Sequence, residues 1–199
     1  GYYDSANTAI IDQHLAWMEY AHQELAISSW WGQGDDTDLN LTPILARTGA
    51  TNSPLKWSIY YEPEGQGDPT TAQIVADLTY LQPRFNYNQW LRVNGKPVVF
   101  VYADALDGAG MASRWAAAKA QFPNVYIVLK VYAGYASDPN QPDSWHQYGP
   151  AVASSVHLPH SYVVSPGFWH AAEPSPRLAR DLPRFENDLA AAVASNANW

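Results

Sequence analysis

The chain has 199 residues, enough for one domain or most of one, and a 47% hydrophobic fraction supplies a large core. A net charge of −8 with no Lys/Arg cluster argues against a nucleic-acid partner, no apolar run approaches the ~20 residues of a bilayer-spanning helix, and zero cysteines remove disulfides, thiol catalysis and cysteine-ligated zinc. Only 15% of residues are charged while 14% are aromatic, a balance that fits carbohydrate handling because flat rings stack on the C–H faces of sugars, and that equally fits core filling.

In chain order the first element is a helix from Ala9 to Glu24, with Ile10, Ile11, Leu15 and Met18 at helical spacing. Leu25 to Trp31 is a short apolar strand, followed by the loop Gln33 to Asp38 and a helix from Leu39 to about Thr48. Leu55 to Tyr61 is a second strand, rich in β-branched and aromatic residues. Pro63 ends it near Glu62, and Thr70 or Thr71 caps the next helix, Ala72 to Leu81. Lys96 to Ala103 is a third strand, Met111 to Gln121 a third helix and Asn124 to Lys130 a fourth strand. A long polar loop carrying Trp145 and His146 leads to a fifth strand, Ser161 to Gly167, and a closing amphipathic helix, Leu182 to Ser195.

Alternating strands and helices, with strands that are continuous apolar runs, mean an α/β fold around a parallel sheet. An open doubly wound sheet predicts a glycine-rich phosphate loop after the first strand, and Gly32-Gln-Gly34 followed by acids does not supply one. A (β/α)8 TIM-type barrel predicts polar and aromatic groups at the carboxyl end of every strand. The chain has them: Trp30 and Trp31, Tyr61 and Glu62, Tyr102 and Asp104, Lys130 and Tyr132, then Ser165, Trp169 and His170. The expected fold is therefore a single barrel domain over 1–199. With about five strands against the ~250 residues of a full barrel, it is an incomplete one.

Several residues admit a plain structural role beside a chemical one. Asp35, Asp36 and Asp38 lack the spacing of a calcium loop and suit a helix N-terminus. Glu64 and Glu173 read as solvated loop acids, and Asp104 as either a hydroxyl ligand or a helix cap. Lys130 ends an apolar strand, where it pairs with a carboxylate such as Glu62 or Asp104, or reaches a sugar oxygen. His146 and His170 follow aromatic residues in loops and could donate to a sugar hydroxyl. No histidine pair suits a zinc hydrolase and no Gly-x-Ser-x-Gly elbow occurs, so no metal and no cofactor is expected.

The order Ser29-Trp-Trp-Gly32, Tyr60-Tyr-Glu-Pro63, Pro97 to Tyr102 and Val164 to Trp169 resembles glycoside hydrolase family 99, the endo-α-mannosidase group of (β/α)8 barrels. The resemblance covers the chain from the helix near Ala9 to the one ending near Ser195. It implies a glycoside hydrolase-like protein that acts on or binds an oligosaccharide or polysaccharide, α-mannosides being the class the family names. Glu62 matches a family carboxylate beside the reacting centre and is the candidate catalytic-site residue, a sugar-hydroxyl acceptor. Tyr61 and Tyr102 become wall residues, and Trp30 and Trp31 line the floor or an adjacent subsite. Asp104, Lys130, Tyr132, Trp169 and His170 complete the expected substrate contacts. Tyr60 departs from the pattern, standing where the mannosidases commonly have His. The family's catalytic carboxylates come from a later strand, and the chain stops at Asn196-Ala-Asn-Trp199, about where that strand begins. The expectation is a sequence truncated at both ends, with a non-catalytic carbohydrate-binding barrel as the alternative. The partner is a carbohydrate, the protein a monomer, and the setting extracellular or the cell envelope. Gly1-Tyr-Tyr-Asp4 lacks the basic start and apolar run of a secretion signal.

Overall fold

The computed structural model describes residues 3–103 and 107–199. The chain divides into two compact units, Gly1–Asp143 and Ser144–Trp199.

The first unit opens with α1 (Thr8–Tyr20), whose N-cap Asn7 accepts from the Ala9 N–H at 2.9 Å. It stops short of Glu24 because the chain turns at His22, which takes a left-handed φ of 54°. Then come β1 (Leu25–Trp30), α2 (Asp36–Ala50), β2 (Lys56–Tyr61), the single turn α3 (Glu64–Gly67) and α4 (Thr71–Phe85). The short β3 (Arg92–Val93), β4 (Lys96–Val101), α5 (Gly108–Lys119) and β5 (Tyr126–Lys130) complete the alternation. β1, β2, β4 and β5 lie side by side in parallel, while β3 only folds back antiparallel on β4. This is a run of βαβ crossovers, the building block of an α/β barrel.

Local chemistry sets the helix starts. Asp35 caps α2 by accepting from Thr37 N–H at 2.8 Å, and Asp36 and Asp38 occupy its first turn, where acids favour the helix dipole. Thr70 and Gln73 form a reciprocal capping box that starts α4.

Two acids are structural keystones on the helix side of the sheet. Asp38 is fully buried and accepts from Trp30 Nε1 at 2.8 Å, Gly34 N–H at 3.0 Å and Tyr80 Oη at 2.6 Å, with Arg84 Nη2 at 3.0 Å. Burial alone raises its pKa, but the bonds from Tyr80, Gly34 and Trp30 and the Arg84 charge outweigh it and hold the carboxyl below its usual value. Glu64, expected to be a solvated loop acid, is instead buried. Pro63 and the α3 turn fold it back towards α5, where it accepts from Trp115 Nε1 at 2.7 Å and pairs with Arg114 Nη2 at 2.6 Å. Arg114 also reaches Asp107 at 2.6 Å.

The second unit contains β6 (Ser144–His146), the hairpin β7 (Ser154–His157) and β8 (Ser161–Val164), and α6 (Leu182–Ser195). The loop expected around Trp145 and His146 is thus a buried strand, which its three residues were too few to signal. The expected strand at Ser161 is present, but shorter, and pairs antiparallel with β7, Ser154 facing Val164 and His157 facing Ser161. α6 spans the expected residues, capped by Asp181 and closed by Asn196 at a φ of 55°. The Trp199 N–H donates to His160 O at 3.0 Å and Trp199 O accepts from Tyr162 N–H at 2.9 Å, a parallel ladder on β8. Glu173 is held by Arg177 four residues on.

Replacing Asp38 by Asn should lower stability by about 3 kcal/mol at pH 7, since a buried cation and charge-assisted donors lose their acceptor. Because the folded-state pKa is depressed, that stabilisation is present above the unfolded carboxylate value of about 3.9 and disappears as pH falls through the lower folded value. Urea midpoints of the two proteins should therefore converge below about pH 4.

Candidate functional site

Strand register decides which side chains meet at the carboxyl end of the sheet. Ser29 lies opposite Tyr60, Tyr60 opposite Phe100, and Phe100 opposite Val128. Side chains alternate faces along a strand, so the next residues on that face are Trp31, Glu62, Tyr102 and Lys130. The backbone ladder carries this row past the strand ends: Glu62 N–H donates to Trp30 O, and Tyr102 N–H to Tyr61 O, both at 3.0 Å. The intervening row, Trp30, Tyr61, Val101 and Leu129, is buried on the opposite, helix-covered face.

Glu62 is 8% exposed and its Oε1 accepts from Ser29 Oγ at 2.9 Å. Burial raises its pKa above the usual carboxylate value, against the Ser29 hydrogen bond and the nearby Lys130 charge, which lower it. Lys130 Nζ donates to Ala103 O at 2.8 Å and stands 4.5 Å from the centre of the Tyr102 ring, a cation–π contact. Tyr102 in turn meets Tyr60 edge to face at 5.8 Å. Gly65, in the α3 turn, permits this ring position, because a Cβ there would lie 2.6 Å from the Tyr102 ring.

The expected residues therefore separate. Glu62, Tyr102 and Lys130 come together, and Trp31 stands at the rim, 39% exposed, its main-chain N–H donating to Thr37 Oγ1 at 3.1 Å. Trp30 and Tyr61 differ from expectation: neither faces a sugar, and both are core residues. Trp30 stacks on Tyr61 at 5.4 Å and gives its N–H to Asp38; Tyr61 meets Trp115 at 5.0 Å and gives its O–H to Asp77 at 2.7 Å. Adjacent strand residues cannot share a face, so choosing both Trp30 and Trp31, or both Tyr61 and Glu62, was bound to include one core residue. Tyr132 packs its ring against Gly108 at the start of α5 and donates to Asp138, which leaves its hydroxyl engaged. Asp104 lies outside the described residues. Trp169 and His170 belong to the second unit, where both are exposed; Trp169 Nε1 donates to Glu173 O at 3.0 Å. Ser29 and Tyr60 were absent from the expected contacts. Tyr60 could have been found from its i, i+2 spacing to Glu62, whereas Ser29 required the register.

No protein-family profile and no curated protein matches the sequence. Solved structures do. The GH99 endo-alpha-mannosidase from Bacteroides thetaiotaomicron superposes with a TM-score of 0.75 at 17% identity, over 100% of this chain and 67% of that one. The fold is similar to about two thirds of that GH99 barrel chain. A GH99 endo-alpha-mannosidase from the same organism in complex with BIS-TRIS-Propane superposes with a TM-score of 0.61 at 17% identity, over 76% of this chain and 49% of that one. The chain thus spans about two thirds of one barrel chain and half of the other. The α/β alternation and parallel sheet expected from sequence are those of a partial TIM-type barrel, a glycosidase-like architecture.

Replacing Gly65 by Ala should push the Tyr102 ring away from Lys130 and cost about 1–3 kcal/mol, the usual range for overpacking. A changed near-ultraviolet circular dichroism spectrum and a lower urea midpoint would register it; an unaltered spectrum would mean that the ring is not held there.

Proposed function

We propose that this protein is a glycoside hydrolase-like barrel that engages an oligosaccharide or polysaccharide at the carboxyl ends of its parallel strands, α-mannosides being the first class to try. The observation carrying this reading is the single row of Trp31, Glu62, Tyr102 and Lys130 on one face of a GH99-type fold. Such a row offers a carboxylate acceptor, an ammonium donor and rings to a polyhydroxylated ligand. Trp169, 63% exposed, and His170 are proposed as further sugar contacts carried by the second unit. An extracellular or cell-envelope setting is part of the same proposal; no described helix is long and apolar enough to cross a membrane.

In this reading Glu62 accepts hydroxyl hydrogen bonds. Its burial keeps water from competing, and its raised pKa suits a carboxyl that meets a sugar in a poorly solvated place. Glycosidic hydrolysis generally uses two carboxyl groups, ~5–5.5 Å apart for retention or ~6.5–9.5 Å for inversion. Among the described residues, the row on this face carries one carboxylate. That observation favours a second reading, a carbohydrate-binding barrel without its own acid and base.

Calorimetric titration against mannans and other neutral glycans, paired with a turnover assay on each, distinguishes the two. Both readings predict that Glu62→Gln weakens binding by about tenfold or more, the loss of a charge-assisted hydrogen bond. Glycan cleavage abolished in the variant supports the hydrolase; tight binding without cleavage supports the binder. Binding and turnover both untouched by the substitution would remove Glu62 from the site.

A further inference from the structure

The first unit has a concavity at the opposite end of its strands from Glu62. It is a cleft of about 770 Å³ between the last turns of α4, the β3–β4 hairpin and the segment joining α5 to β5. That size falls within the range of small-molecule sites.

Its walls are tied together by the two nearby cations. Arg92 donates to Gly95 O at 3.0 Å and to Phe85 O, fixing the hairpin to the end of α4. Lys96 Nζ donates to Pro123 O at 2.9 Å, fixing the start of β4 to the α5–β5 segment. Pro83, Pro97 and Pro123 stiffen the three walls. A cleft held this way changes little on occupation, so a ligand meets a low ordering cost.

The lining chemistry selects the ligand. Four primary amides, Gln82, Asn86, Gln121 and Asn124, face the cleft around the half-buried Phe122 ring, with no carboxylate in the lining. All four amides are exposed, hydrated where no ligand sits, and Arg92 spends two of its five N–H donors on main-chain carbonyls. Each amide sets an acceptor beside donors, the pattern that matches vicinal hydroxyls, and the ring offers an apolar floor. The plain alternative is that this end of a barrel serves stability alone. Stability explains the Arg92 and Lys96 ties; the four amides around one ring are what a polyhydroxylated ligand would use.

We infer that this amide-lined cleft is a second binding site, for a polyhydroxylated ligand such as an oligosaccharide, and independent of the Glu62 face. The side-chain amide signals in ¹H–¹⁵N NMR spectra report on it directly. α-Mannotetraose, maltotetraose, cellotetraose and xylotetraose are the neutral probes, each added up to about 10 mM to cover millimolar affinities. At least one neutral probe should shift the amide signals of Gln121 and Asn124, equally in the wild type and in Glu62→Gln. The paired substitution Gln121→Ala with Asn124→Ala, at exposed positions, should raise that Kd about tenfold while leaving the fold and any Glu62-dependent binding unchanged. The inference is overturned if none of the four probes moves these signals, or if the paired substitution leaves Kd unchanged. Failure here leaves the Glu62 reading standing, and loss of the response in Glu62→Gln alone would assign it to the other face.

Discussion

Parallel register, with Trp30 beside Tyr61 and Tyr61 beside Val101, is the constraint on which the rest of the structure depends. Given the two-residue period of a pleated strand, it sorts each strand end into a residue for the helix layer and a residue for the opposite face. Trp30 and Tyr61 go to the helices; Glu62, Tyr102 and Lys130 go to the other side. A slip of one residue between β1 and β2 would exchange the two sets and bury Glu62 among aromatic rings.

The acids show how the two faces differ. On the helix side, Asp38 accepts from an indole, a main-chain amide and a phenol and faces an arginine; Glu64 accepts from an indole and an arginine; Asp77 accepts from Tyr61 and, at 2.8 Å, from Gln33. Those carboxylates are consumed by the fold and fix the helices against the sheet. Glu62 differs. Among the described residues its hydrogen-bond donor is Ser29 Oγ, although an ionised carboxyl can accept about four bonds. Burial raises the pKa of Glu62 and Glu64 alike, so it is the remaining acceptor capacity of Glu62 that makes it the functional candidate.

Much of this was legible in the sequence because the signals were local. Continuous apolar strands gave the α/β class, Pro63 stopped β2, Thr70 opened α4 and the Asp35 cluster started α2. The order of the Trp-Trp-Gly, Tyr-Glu-Pro and Ser-Pro-Gly-Phe-Trp motifs pointed to the barrel that the structural comparison bears out. The illegible parts were those needing a partner distant in sequence. Glu64 looks solvated until α5 brings Arg114 and Trp115 to it. Ser29 acquires meaning only through a neighbour 33 residues away. The three-residue β6 carries too little periodicity to stand out from a loop, and the hairpin pairing of β8 depends on β7, whose exposed and half-buried residues give no strand signal.

The central claim is that Glu62 and Lys130 share one poorly solvated face at the strand ends. The most direct measurement is the pH titration of the Glu62 side-chain carboxyl carbon by ¹³C NMR, in the wild type and in Lys130→Met. The account predicts titration above the usual glutamate value in the wild type, moving higher still once the neighbouring positive charge is gone. An ordinary value in the wild type that the substitution leaves unmoved would contradict it.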